Sequence, residues 1–124
     1  MAAPRLRARA HVNPRGERAE ALAAAWLTER GLHISERNYR CRFGEIDLIA
    51  RDGVTVVFVE VRSRASDAYG GAAASITPAK RRRLLKTARH YLAGIEPAPP
   101  CRFDALLLTG DPPRIEWLRN AIEE

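Results

Sequence analysis

Apolar residues follow a helical period at two places in this chain and alternate or run together between them. From Pro14 onward, Ala19, Leu22, Ala23, Trp26 and Leu27 recur at helical spacing. Asn13-Pro14 supplies a cap and a first-turn proline, and Gly31 a stop, which predicts a helix over 14–30. LHISERNYR at 32–40 reads as a short first strand. GEIDLIA at 44–50 alternates, Asp52-Gly53 is a two-residue hairpin turn, and VTVVFVEVR at 54–62 returns. The small, polar stretch 63–75 is a loop long enough to suggest a functional one. Thr77-Pro78 opens a second helix with Leu84, Leu85, Ala88, Tyr91 and Leu92 as its stripe and Gly94 as its end. After the connector EPAPPC come a strand at 102–109, a turn at Asp111-Pro112-Pro113, and RIEWL as a short strand or the start of a terminal helix. The order α-β-β-β-α-β describes an α/β fold, a mixed sheet flanked by helices.

The hairpin decides which side chains meet. With Asp52-Gly53 as its loop, Arg51 pairs with Val54, Asp47 falls opposite Phe58 and Glu45 opposite Glu60. Side-chain alternation then puts Glu45, Asp47, Glu60 and Arg62 on one face and Ile46, Leu48, Val57, Val59 and Val61 on a core face. Crowded carboxylates either raise a pKa or bind a cation, and oxygen ligands suit a hard ion such as Mg²⁺. By spacing alone the same residues read more readily as a solvated face with one salt bridge, and a three-residue turn would move Asp47 to the other side.

Composition narrows the partners. A chain of 124 residues with 46% hydrophobic and 29% charged side chains suits one domain, over 14–124, behind a basic, disordered tail at 1–13. The tail's Arg-rich start lacks the serines of a transit peptide. No apolar run approaches the roughly 20 residues that span a bilayer. The net charge of +6 and pI near 10.1 point to an anionic partner, nucleic acid before a membrane surface. Cys41 and Cys101, 60 positions apart without a CxxC, suggest neither a disulfide framework nor a zinc site, and a reducing cytoplasm fits. No GxxxxGKS, GxSxG or HExxH is present, and His11, His33 and His90 lack ligand spacing.

Lys80, Arg81, Arg82 and Arg83 crowd the first turns of the second helix, where cations oppose the helix dipole and a bound phosphate would reverse the penalty. A solvated charge run is the competing reading. Arg64 and the loop 65–75, with Tyr69 as a stacking or packing residue, follow the Glu60 strand directly and are placed to line a DNA groove. Asp104 reads as structural, Trp26 and Trp117 as core.

These segments resemble the bacterial YraN family: Gly44-Glu45-Ile46-Asp47-Leu48-Ile49, Phe58-Val59-Glu60-Val61-Arg62, Tyr69-Gly70-Gly71, Lys80 and Arg102-Phe103-Asp104. The likeness runs from about Gly16 to Trp117. The family is similar to the PD-(D/E)xK (restriction-endonuclease-like) nucleases and, among them, to archaeal Holliday-junction resolvases. The resemblance implies Asp47 and Glu60 as ligands for Mg²⁺ or Mn²⁺, Arg62 in the place of the motif's lysine, and Glu20 as the acid of the first helix. Gly16-x-x-Ala19-Glu20 departs from the family pattern, which ends Gly-Glu, but the helical wheel independently puts Glu20 beside the apolar stripe and Glu17 nearly opposite. Glu45 is a supporting acid. An arginine stays protonated, so it stabilises charge but takes no proton, and the attacking water must then lose its proton through a cation's lowering of its pKa. The implied activity is metal-dependent hydrolysis of phosphodiester bonds in DNA, branched DNA included, by a protein that acts as a homodimer if it follows the resolvases. Two other classes stay open: a non-catalytic nucleic-acid-binding module on a nuclease fold, and a protein-interaction domain.

Overall fold

The computed structural model describes residues 14–64 and 77–122, so the expected tail at 1–13 and Tyr69 with its loop lie outside the described residues. The order is α1 (Pro14–Glu29), β1 (His33–Cys41), β2 (Gly44–Asp52), β3 (Thr55–Arg64), α2 (Pro78–Leu92), β4 (Cys101–Thr109) and β5 (Arg114–Ile122). This is the expected α-β-β-β-α-β order with RIEWL extended into a fifth strand. The strands lie side by side in chain order; β3 and β4 run parallel and the other neighbours antiparallel. A parallel pair needs a crossover, and α2 provides it.

Both faces of the sheet are apolar, where the alternation predicts one core face and one charged face. Under α1, Ala19, Ala23 and Leu27 pack on Leu48, Val57 and Val59. Under α2, Leu84 and Ala88 pack on Ile46, Ile49, Val56 and Phe58. The central strand β3 is covered on both sides, which is why VVFV is a continuous apolar run. Trp26 and Trp117 are half-buried at the edge of the α1 layer, edge to face with centroids 5.9 Å apart.

The hairpin turn also differs from expectation. Gly53 and Val54 form it, with Asp52 paired to Thr55 and Leu48 to Val59. Gly53 takes φ +63°, which a glycine tolerates without penalty, and Val54 stands exposed at the tip. Asp52 stays in the strand because Arg102 Nη1 on β4 holds its carboxylate at 3.1 Å. Each partner therefore shifts by two positions. The pairing runs to Leu48 and Val59, and the next residues along are Asp47 and Glu60, so Phe58 is not the neighbour of Asp47 and Glu45 is not that of Glu60.

Candidate functional site

The site forms where β2 and β3 part. In a regular strand Ile46 and Leu48 would share a face, yet Ile46 packs under α2 and Leu48 under α1. The strand is therefore kinked at Asp47, and Asn38, level with it on β1, takes a left-handed φ of +55°. Beyond the last paired residues, Val61 N–H donates to Asp47 Oδ2 at 2.8 Å. The side chain thus binds a backbone donor where the ladder opens, and the carboxylate is fixed at the gap between the strands.

Three acids meet here. Glu20 reaches Asp47 from α1 and shares a side-chain hydrogen bond with it, while Asn38 hydrogen-bonds Glu20 as well. Glu60, on β3, is near enough for its charge to act strongly on Asp47. Burial first, then the Glu60 charge, hold the Asp47 carboxyl well above the ordinary carboxylate range; the Val61 N–H opposes the shift and Glu20 adds to it. Burial also raises Glu20, against hydrogen bonds to Asn38 and Asp47 and the charge of Arg37. Both carboxyls of the hydrogen-bonded pair are thus held above their ordinary values, burial being the largest cause in each. Glu45 is exposed at the rim, tied to Arg40 at 2.8 Å.

The basic wall comes from α2. Thr77 caps the helix and its Oγ1 accepts from Lys80 N–H at 3.1 Å, which fixes the first turn. The Lys80 side chain turns inward, and its Nζ forms an ion pair with Glu60 Oε2. Arg62 Nη2 lies 3.3 Å from the same oxygen. Glu45, Asp47, Glu60, Lys80 and Arg83 line a cleft of about 280 Å³ with Gly44 and Leu84. Gly44 lets the β1–β2 turn approach α2 closely: a Cβ there would come within 3.2 Å of Thr87 Oγ1.

Of the residues singled out from the sequence, Glu20, Asp47, Glu60 and Arg62 are thus brought together with Lys80, Arg83 and Glu45. Arg81 and Arg82 are exposed on α2, and Arg64 is half-buried at the end of β3. The inward aim of Lys80 went unrecognised in the sequence, although a signal was there: Lys80 precedes the stripe residue Leu84 by one helical turn. Asp104 does not line the cleft. Its carboxylate accepts from Arg102 Nε, Trp117 Nε1 and Asn120 N–H, a structural role.

The donor set suits a hard cation. Asp47 and Glu60 offer oxygen only, and Glu20 Oε1 is buried without a hydrogen-bond partner. Mg²⁺ is held by one or two carboxylates with several waters retained, and the cleft has room for both. Among the described residues no group of three or more His, Cys, Asp or Glu side chains is arranged to hold a metal ion.

The profile of the uncharacterised protein family UPF0102 matches residues 19–108. The chain belongs to UPF0102. This is the YraN family to which its motifs pointed. A UPF0102 protein of Nitrosomonas europaea is 62% identical over 111 residues, covering 89% of this chain and 94% of the relative. A second from the same organism is 59% identical over the same shares, and one from Cupriavidus taiwanensis is 56% identical, covering 88% of this chain and 82% of its own. The UPF0102 match takes in Glu20, Asp47, Glu60, Arg62 and Lys80. Among the described residues no helix is long and apolar enough to cross a membrane.

Proposed function

We propose that this UPF0102 protein is a metal-dependent endonuclease that hydrolyses phosphodiester bonds in DNA, branched DNA included. The observation that carries the reading is Asp47: a carboxyl crowded by two other acids, Glu20 and Glu60, beside a cleft whose far wall carries Lys80 and Arg83. Carboxylates crowded at such a cost are the arrangement a divalent cation relieves. Asp47 and Glu60 would hold Mg²⁺ or Mn²⁺, which supplies charge neutralisation and a lowered pKa for the attacking water. Glu20 orients Asp47 through their side-chain hydrogen bond. Arg62 offers a fixed positive charge to the phosphate as negative charge grows on it. Arg83 lines the cleft, while Arg81 and Arg82 on the outer face of α2, with Arg64 and the net charge of +6, favour the flanking backbone.

A second reading, a nucleic-acid-binding module without cleavage, draws on one observation: Glu60 already has two cationic partners. Labelled duplex, single-stranded and four-way-junction DNA incubated with Mg²⁺ or Mn²⁺ separates the two. Cleavage that disappears in Asp47→Asn and Glu60→Gln supports the nuclease. Cleavage surviving both substitutions would overturn the site, and salt-dependent binding with no cleavage selects the second reading.

A further inference from the structure

Glu60 Oε2 is contacted by two side-chain cations, Lys80 Nζ and Arg62 Nη2, although its side chain is only 11% exposed. The two differ in what they can do next. Arg62 rises from the central strand with its Nε buried. Lys80 reaches Glu60 across the cleft from the first turn of α2, on a flexible stem whose backbone anchor the Thr77 cap secures. An ammonium on four carbons re-aims readily, whereas part of the Arg62 guanidinium, its Nε, is buried. A third positive charge brought to Glu60 Oε2 would be repelled by both, and of the two only Lys80 lines the cleft.

We infer that Lys80 is the exchangeable cation of this site: a divalent ion binding Asp47 and Glu60 displaces its ammonium from Glu60, and the freed lysine serves the substrate phosphate. The inference rests on the metal-site reading and extends it. It assigns to a helix residue the mobile lysine that strand β3, with Arg62 at the corresponding place, does not supply. Lys80 thereby lowers affinity for the metal alone and favours the ternary state, in which the phosphate gives the lysine a new partner. Metal and DNA then bind cooperatively, because each relieves a cost imposed by the other's absence.

Calorimetric titration of the full chain with Mn²⁺, without DNA, tests this. Lys80→Met is expected to bind Mn²⁺ about tenfold more tightly than the unaltered protein, within the usual span of coupling between sites, while cleaving DNA more slowly. Lys80→Arg, whose fork grips a carboxylate at two points, is expected to bind Mn²⁺ no more tightly than the unaltered protein. A lysine that only braced the fold would not move affinity and cleavage in opposite directions. Thermal melts verify folding, and Lys80→Gln replaces the methionine variant if that one fails to fold. If Lys80→Met leaves Mn²⁺ affinity unchanged while Glu60→Gln abolishes it, the exchange is overturned and the metal site stands. If neither the unaltered protein nor Lys80→Met takes up Mn²⁺, both fall together.

Discussion

Asp47 on β2 and Asp104 on β4 each sit at a break in strand pairing, across from an asparagine in the left-handed conformation, Asn38 at φ +55° and Asn120 at +56°. Each accepts a backbone N–H from a neighbouring strand, Val61 at 2.8 Å and Asn120 at 2.9 Å. Their remaining neighbours are opposites. Asp104, with a fully buried side chain, meets Arg102 and the Trp117 indole N–H. Asp47 meets Glu20 and Glu60. The same residue type in similar backbone surroundings thus becomes a rivet in one place and the centre of an acid cluster in the other. Asp104 is buried and Asp47 half-buried in the cleft wall, but the larger difference is whether the surrounding groups donate hydrogen bonds or carry like charge.

The largest expected effect lies at the rivet. Asp104→Ala strands the Arg102 Nε–H, the Trp117 N–H and the Asn120 N–H, and should cost about 3 kcal/mol or more, read as a lowered urea midpoint. A variant as stable as the parent would mean that Asp104 is not the brace described here. Next is the opposite substitution in activity: Asp47→Asn should lower DNA cleavage about a hundredfold or more, the scale for losing stabilisation of transition-state charge. The same variant should unfold at equal or higher urea concentration at pH 7.5, since it removes a carboxylate that burial and Glu60 disfavour.

The pH dependence sharpens this contrast. Unfolded, Asp47 releases its proton near the ordinary value of about 3.9; folded, it keeps it to higher pH. Between those two points the folded state binds more protons, so stability falls as pH rises from about 4 through the folded pKa. Glu20 acts in the same direction. Urea midpoints at pH 4.5 and 7.5 should therefore differ less in Asp47→Asn than in the parent, and an unchanged difference would assign the slope to other groups. The smallest effect is expected from Trp117→Phe, which removes one hydrogen bond from Asp104 for about 1 kcal/mol.

Much of this was legible in the residues. Alternation in 44–50 and the apolar run of 56–59 marked β2 and β3, and Asn13-Pro14 and Thr77-Pro78 marked where the helices begin. Asp47, Glu60, Arg62 and Glu20 were identifiable as a set from family motifs, and they do converge. The hairpin register was not legible, because Asp52 is kept in its strand by Arg102, fifty positions away. Nor was the second apolar face, since a strand buried on both sides shows no alternation to read.

By itself the sequence determined the elements, the excess of positive charge and the acids available, because periodicity and capping are properties of neighbouring residues. Only the tertiary structure decided their company. It kinked β2 at Asp47, raised that carboxyl between Glu20 and Glu60, brought Lys80 from α2 onto Glu60, and gave Asp104 its donors from Trp117 and Asn120. A side chain's direction is set by its own backbone, but its electrostatic surroundings are set by packed elements that are distant in the chain.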